Sequence, residues 1–203
     1  MEDLIKKILA TVPTYKDRES LQKLGEVSLR LKPFSRVLIL GPGQGAETIV
    51  IKKLCETCTV LAIDKWDTWK DDGYLNIYTA ENNRESYVKY CRLFDAEPDR
   101  VLDADVFKSN VIDEIGTGWD FIYYDCRDNL TGQEFDIIKD MLNRLWKMLN
   151  DGGYLMGDDF FMDKPDFKMT PIVESFFYET SNATDFNFNN KGESLHWMVK
   201  KNG

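Results

Sequence analysis

A strand that runs directly into a glycine cluster constrains the fold more than any other feature of this sequence. Residues 37–40 form an unbroken apolar run, Val-Leu-Ile-Leu, and Gly41, Gly43 and Gly45 follow at once. An unbroken apolar strand is typical of a parallel sheet that helices cover on both faces. Glycines at the end of such a strand let a ligand approach the backbone. The pattern predicts an α/β fold with a nucleotide site at this turn.

A carboxylate follows the glycines at the distance expected for a ribose ligand. Asp64 ends the next apolar strand, residues 59–64. Doubly wound folds place an acidic residue about 20 residues after the glycines, where it binds the ribose hydroxyls. The glycine spacing here is G-x-G-x-G, whereas the dinucleotide fingerprint is G-x-G-x-x-G. This spacing argues against a nicotinamide or flavin enzyme and favours another ligand with a free ribose.

Strand and helix patterns alternate through the rest of the chain. Further strands are predicted at residues 100–105, 119–125 and 153–159, followed by a hairpin formed by residues 184–188 and 195–200. Apolar residues at helical spacing predict helices between the strands. We therefore expect a doubly wound, Rossmann-like sheet of seven strands, mostly parallel, with an antiparallel C-terminal hairpin.

Two amphipathic helices are predicted before the glycine strand, at residues 2–10 and 18–31. Between strands four and five, a helix over residues 132–149 should stop at the glycines of residues 150–153, as at a glycine C-cap. The chain is expected to be a single domain, residues 1–203, with a helical cap over 1–31 and a Rossmann-like core over 35–200.

Charge and hydropathy restrict the partners. The net charge of −9 repels phosphate backbones, so nucleic acid is excluded as a partner and a small-molecule substrate is favoured. The first residues are charged and no apolar run has the length of a membrane span. We expect a cytoplasmic protein with no membrane partner. Whether two chains form a homodimer is left open.

The cysteines Cys55 and Cys58 form one C-x-x-C pair. There is no second such pair, and the chain has a single histidine, His196. This spacing favours free cysteines that pack as small apolar side chains over a metal or redox site. A structural role is also favoured for His196, which falls in the last predicted strand, in a hairpin at the sheet edge.

Aspartates end the predicted strands, and parallel strands bring their carboxyl ends to one edge of a sheet. These residues are Asp64, Asp105, Asp125, Asp158 and Asp159. Oxygen ligands of this kind suit Mg²⁺, and Asp125, Asp158 and Asp159 follow neighbouring strands. Two interpretations are open: these three residues share a divalent ion, or the Asp158-Asp159 pair caps the following turn.

Four segments of the sequence resemble class I S-adenosylmethionine-dependent methyltransferases. They are the strand-glycine-helix of residues 37–47, the Ile-Asp-Lys-Trp of residues 63–66, the Phe-Ile-Tyr-Tyr-Asp of residues 121–125 and the long segment over residues 145–159. The resemblance covers residue 31 to the C-terminus. Within that class the chain is most similar to the small-molecule O-methyltransferases related to the macrocin and catechol enzymes.

The resemblance implies a role for each residue of the predicted site. It places Gly41, Gly43 and Gly45 against the amino-acid part of S-adenosylmethionine, Asp64 on the ribose hydroxyls and Asp105 near the adenine. The metal positions fall on Asp125, Asp158 and Asp159.

Catalysis is expected to involve Asp125 and Asp128. The macrocin-like enzymes have a histidine three positions after the strand-four aspartate, whereas Asp128 stands there in this chain. Asp128 is a candidate general base, or a turn residue without a chemical role.

Two functions remain on these grounds. The first is a methyltransferase that O-methylates a small-molecule hydroxyl with S-adenosylmethionine, with Mg²⁺ assistance as an open question. The second is a non-catalytic protein of the same fold that binds S-adenosylmethionine or a nucleotide, because the family's histidine is missing.

Overall fold

The structure is a computed structural model of the 203-residue chain. It describes residues 1–14, 16–66, 84–108, 110–126, 134–158, 169–180, 183–188 and 196–203. Of the predicted site residues, Asp128 and Asp159 lie outside these described residues, as does the connection between the two strands of the predicted C-terminal hairpin.

Helices and strands alternate along the described chain. The helices are α1 (Glu2–Thr11), α2 (Arg18–Ser28), α3 (Ala46–Leu54), α4 (Arg84–Leu93), α5 (Val111–Glu114), α6 (Glu134–Met148) and α7 (Met169–Glu179). The strands are β1 (Arg36–Leu40), β2 (Thr59–Asp64), β3 (Arg100–Asp103), β4 (Trp119–Tyr124), β5 (Leu149–Gly157), β6 (Ala183–Phe188) and β7 (Trp197–Lys201).

The strands form one sheet in the order β3-β2-β1-β4-β5-β7-β6. The first five in this order pair in parallel, and β7 pairs antiparallel with both β5 and β6. The predicted mostly parallel sheet with an antiparallel C-terminal pair is confirmed. The chain leaves β1 toward β2 and β3 and returns on the other side of β1 as β4. Ligands bind at such a switch point in doubly wound sheets.

Side chains of the central strands alternate between two cores, one on each face of the sheet. In β1, Val37 and Ile39 face the core that α1, α2, α3 and α4 cover, while Leu38 and Leu40 face the core that α6 and α7 cover. All four side chains are fully buried. The unbroken apolar run therefore has the cause that the sequence predicted, which is helices on both faces.

The segment before α2 is held by local hydrogen bonds. The Asp17 carboxylate caps α2 by accepting a hydrogen bond from the Ser20 backbone N–H at 2.7 Å. The hydroxyl of Thr14 accepts one from the Lys16 backbone N–H at 3.1 Å. These bonds hold the backbone on both sides of Lys16 and so restrict the direction in which its side chain can extend.

Several predicted boundaries were wrong. Helix α2 ends at Ser28 rather than at residue 31, and β3 ends at Asp103 rather than at residue 105. The glycines of residues 150–153 do not form a helix-ending turn: α6 ends at Met148 and β5 begins at Leu149. The pairing of β5 with β4 shifts register across this stretch, as at a bulge, which accommodates the extra residues.

The prediction of free cysteines was wrong, because Cys55 and Cys58 are joined in a disulfide. The antiparallel pair of β7 and β6 lies at one edge of the sheet, as predicted. His196 directly precedes β7 rather than lying within the strand, and it is 3% exposed. None of the described helices has both the length and the hydropathy that crossing a membrane requires.

Candidate cofactor and acceptor site

The glycine turn after β1 has backbone angles that favour glycine. Gly41, Gly43 and Gly45 have φ angles of +73°, +50° and +95°. The Gly41 backbone N–H bonds to the carbonyl of Ile63 at 2.9 Å, which ties the turn to the end of β2. Because L side chains strongly disfavour positive φ, this turn explains the need for three glycines.

The three glycines leave space for different partners. A Cβ atom on Gly41 would lie 2.2 Å from the carbonyl oxygen of Asp125, so the end of β4 passes directly against this residue. A Cβ on Gly45 would lie 2.9 Å from the Cys91 sulfur. A Cβ on Gly43 would meet no atom of the described residues within 4 Å. Among the described parts of the chain, Gly43 is thus the glycine of the turn that faces open space, where a ligand can approach the backbone.

Asp64 lies beside this open position. Burial raises the pKa of its carboxyl, while hydrogen bonds from the backbone N–H groups of Trp66, Gly43 and Lys65 act in the opposite direction. The bond from Trp66 measures 3.0 Å. A carboxylate held by the backbone of the glycine turn itself is in place to accept hydrogen bonds from a ligand bound there.

Asp105 lies past the end of β3, and its carboxylate is engaged locally. It accepts a hydrogen bond from the Phe107 backbone N–H at 3.0 Å and pairs with Lys108 at 3.3 Å. Burial raises the pKa of the Cys126 thiol, and the charges of Asp64, Asp125 and Asp105 raise it further. The charges of three strand-end aspartates therefore act on one thiol, which agrees with carboxyl ends that lie at the same edge of the sheet.

The ammonium group of Lys16 lies among three carboxylates, one of which belongs to Asp125. Its Nζ lies 2.7 Å from an oxygen of Asp125 and 3.7 Å from one of Glu47, and it also contacts Asp158. The Lys16 side chain is 6% exposed. The Tyr123 ring packs below, with its centroid 5.8 Å from Nζ. One cation from the segment before α2 thus joins the ends of β4 and β5 to the start of α3.

The electrostatics of this cluster are set by burial and by Lys16. Burial raises the pKa of Glu47 to about 7, although Lys16 opposes the shift. Burial would also raise the pKa of Asp158, but Lys16 and then His196 hold it well below its usual range. The Nδ1 atom of His196 is 3.6 Å from Asp158. Asp158 therefore lies between the Lys16 ammonium group and the His196 ring.

Two of the three predicted metal ligands can be placed, and they contact a different cation; Asp159 lies outside the described residues. Asp125 and Asp158 lie at one place, as the sequence predicted, but they pair with Lys16. Among the described residues, no group of three His, Cys, Asp or Glu side chains is arranged to hold a metal ion. The residues present do not fit Mg²⁺ at this position, because Lys16 already neutralises the oxygens that would bind it.

Sequence reasoning missed Lys16 and Glu47 as members of the site. Lys16 is 109 residues from Asp125 and 142 from Asp158, and nothing in its local sequence marks it as buried. Glu47 carried a weak signal, since it is an acidic residue in the first turn of the helix that follows the glycines.

Comparison with solved structures identifies the fold. The chain is similar to a methyltransferase from Geobacter sulfurreducens, with a TM-score of 0.64, 14% identity, and 99% of this chain and 87% of that one covered. It is similar to the N-methyltransferase NodS from Bradyrhizobium japonicum WM9, with a TM-score of 0.61, 14% identity, and 92% and 96% covered.

An O-methyltransferase family protein from Burkholderia thailandensis matches with a TM-score of 0.61 and 13% identity over 90% of this chain. The chain spans 56% of the length of that protein. No protein-family model matches the sequence, and no curated protein sequence matches it either. The structure thus has the fold of class I methyltransferases.

The residues at the glycine turn fit S-adenosylmethionine, the cofactor that this fold implies. The space beside Gly43 is open, Asp64 is fixed next to it, and the turn lies at the switch point between β1 and β4. A nucleoside with a free ribose needs these features: close backbone approach and a carboxylate for the hydroxyls.

Proposed function

We propose that the protein is an S-adenosylmethionine-dependent methyltransferase that O-methylates a small-molecule hydroxyl. The observation that carries the proposal is the open position at Gly43 beside the fixed carboxylate of Asp64, at the switch point of a methyltransferase fold. The solved relatives include both O- and N-methyltransferases, so the hydroxyl acceptor rests on the resemblance in the sequence.

In this proposal Gly41, Gly43 and Gly45 hold the amino-acid part of the cofactor, Asp64 binds the ribose and Asp105 lies near the adenine. Bound S-adenosylmethionine supplies an electrophilic methyl group. Methyl transfer from a sulfonium is an in-line displacement, so the protein acts mainly by orienting the acceptor and excluding water. The low exposure of Lys16, Glu47 and Asp158 shows that this edge of the sheet is a dry environment.

The proton of the acceptor hydroxyl must pass to a base. Asp128 remains the predicted base, and Asp125 is the second residue predicted to take part in catalysis. Asp125 is engaged by Lys16 at 2.7 Å, so it is better suited to orient the site than to take up a proton. We do not include Mg²⁺ in the proposed reaction, since Lys16 holds the carboxylates expected to bind it.

Calorimetric titration with S-adenosylmethionine and with its demethylated product tests the proposal. We expect one site per chain for both compounds. An absence of binding of either compound at about 1 mM, a concentration that corresponds to only about 4 kcal/mol of binding free energy, would contradict it.

A second candidate function is a non-catalytic protein that binds the same cofactor. It is favoured by the state of Asp125, which is paired with an ammonium group and is not a free base. Turnover with a panel of catechols, sugars and polyketide-like hydroxyl compounds separates the two. Cofactor binding without product from any of them would favour the binding protein.

The remaining partners are also proposals. A net charge of −9 is unsuited to a phosphate backbone, so we propose a small-molecule acceptor and no nucleic acid. We propose a cytoplasmic location without a membrane partner. A homodimer would be detected by sedimentation, whereas the predicted single domain over residues 1–203 is tested by whether the chain unfolds in one transition.

A further inference from the structure

The Lys16 ammonium group connects parts of the protein that are far apart in the sequence. It belongs to the segment between α1 and α2, yet it reaches the ends of β4 and β5 on the far side of the glycine turn. The contacts to Asp125 and Asp158 are both direct hydrogen bonds. With Glu47 at 3.7 Å, three carboxylates surround one positive charge.

The carboxylates around Lys16 balance its charge. Asp125 lies 2.7 Å and Glu47 3.7 Å from Nζ, and Asp158 is also in contact with it. Nearby opposite charges favour the charged form of an ammonium group. Lys16 in turn balances carboxylates whose mutual repulsion would otherwise be strong in a buried place.

Lys16 and a divalent metal ion would compete for the same oxygens. A Mg²⁺ ion binds carboxylate oxygens at about 2.0–2.1 Å and repels a neighbouring ammonium group. The backbone of Lys16 is anchored on both sides, by Thr14 and by the Asp17 cap of α2. A metal could bind to Asp125 and Asp158 only if this anchored side chain left the cluster.

We propose that Lys16 is the resident cation of this cluster, which takes the place of a divalent metal and positions Asp125 and Asp158 beside the cofactor turn. Where it concerns methyl transfer, the inference rests on the proposed function: that reaction then requires no metal ion. Lys16 is a positioning residue here, because it acts through the two aspartates that border the glycine turn.

The test compares the wild-type protein with Lys16→Met, which keeps the length of the side chain and removes the charge. The control is Lys6→Met, since Lys6 lies on α1 with 62% of its side chain exposed. Mn²⁺ binding is measured by calorimetry, and the melting temperature is recorded with Mn²⁺ and with EDTA.

We expect neither Mn²⁺ nor EDTA to shift the melting temperature of the wild-type protein or of the control variant, Lys6→Met. Without added metal, Lys16→Met should melt at a lower temperature than the wild type. It should bind Mn²⁺ at least about tenfold more tightly than the wild type, and bound Mn²⁺ should raise its melting temperature again. Adding Asp125→Asn to Lys16→Met should remove this response.

Cofactor affinity supplies a readout that a merely structural lysine would not move. Binding of the demethylated cofactor should weaken in Lys16→Met and recover when Mn²⁺ is added, because a second cation then restores the positions of the aspartates. If the Lys16→Met protein folds and loses cofactor affinity, and Mn²⁺ does not restore that affinity, the positioning role of Lys16 is contradicted.

Two results would overturn the inference. The first is a wild-type protein that Mn²⁺ stabilises or EDTA destabilises. The second is a folded Lys16→Met protein that binds Mn²⁺ no better than the wild type. If Lys16→Met does not fold, Lys16→Gln is measured in its place, because it also removes the charge and leaves both aspartates intact; a gain of Mn²⁺ binding in it supports the inference, while no gain contradicts it.

The Mn²⁺ arms do not depend on S-adenosylmethionine. A wild-type protein that binds no cofactor would contradict the proposed function and leave the metal comparison intact. A wild-type protein that binds the cofactor but responds to Mn²⁺ would contradict only the inference.

Discussion

At the scale of single residues, glycines of similar backbone angle have different roles in this structure. Gly43 and Gly116 both have positive φ angles, +50° and +71°, and a Cβ on either would meet no described residue within 4 Å. They differ in position, because Gly43 belongs to the cofactor turn and Gly116 follows α5. They therefore form a matched pair that separates binding from backbone strain.

The first prediction uses this pair. Gly43→Val and Gly116→Val should each lose about 1–2 kcal/mol of unfolding free energy from positive φ. Only Gly43→Val should weaken cofactor binding, by about 100-fold or more, since its side chain fills the space beside Asp64. Calorimetric titration of both variants checks this. Equal loss of affinity in the two variants would contradict a cofactor position at Gly43.

A second prediction at this scale concerns pH. Burial raises the pKa of Glu47 from 4.5 to about 7, so the folded state holds a proton that the unfolded state has released. The stabilisation is complete below pH 4.5 and is lost as the pH rises through about 7. Its size is about 3 kcal/mol, at 1.36 kcal/mol for each pKa unit.

Glu47→Gln should remove this contribution. We expect the unfolding free energy of the variant, measured by urea titration between pH 5 and pH 8, to vary less with pH than that of the wild type. The control is Glu56→Gln, an exposed position near the end of α3. The same slope in Glu47→Gln and in the wild type would show that Glu47 has no raised pKa.

At the scale of elements, the start of α2 determines where the Lys16 side chain points. The Asp17 carboxylate satisfies the Ser20 N–H, and Lys16 is the residue just before this cap. A helix N-cap is worth about 1 kcal/mol. The cap is therefore both a source of stability for α2 and a positional constraint on the cluster at the ends of β4 and β5.

The third prediction is that Asp17→Ala lowers the unfolding free energy by about 1 kcal/mol and also weakens cofactor binding, because Lys16 is less well held. Asp3→Ala is the control, since Asp3 lies in the first turn of α1 and its side chain is fully exposed. Chemical denaturation gives the stability and calorimetry the affinity. If Asp17→Ala bound the cofactor with wild-type affinity, the Asp17 cap would have no role in positioning Lys16.

At the scale of the whole molecule, α1 contributes to the same core as β1 and β4. Ile5 and Ile8 are fully buried and pack in the cluster that contains Val37, Ile39 and Phe121. This packing supports the prediction that the N-terminal helices and the sheet form one cooperative unit.

The fourth prediction tests that unit. Ile8→Ala should lower the unfolding free energy by about 2–5 kcal/mol in a single transition, because it leaves a cavity in the core. Leu9→Ala, at a position that is 38% exposed, should change it by less than about 1 kcal/mol. Two separate unfolding transitions in the wild type would show that the helices are not part of one domain.

The sequence alone determined the features that depend on neighbouring residues. The apolar run of β1, the glycines after it and Asp64 at the end of β2 are each encoded within a few positions, because strand burial, positive φ and turn geometry are local requirements. The convergence of strand-end aspartates also followed from the sequence, since parallel strands place their carboxyl ends at one edge.

Only the tertiary structure decided which cation the aspartates hold. Lys16 reaches Asp125 and Asp158 across more than 100 residues of chain, and a lysine shows no periodicity that marks it as buried. The position of β7 inside the sheet, and with it His196 beside Asp158, depends likewise on strand pairing over long separations. Charge pairing in a buried place is set by three-dimensional proximity, whereas the pattern of one sequence records mainly which residues are apolar and where the chain turns.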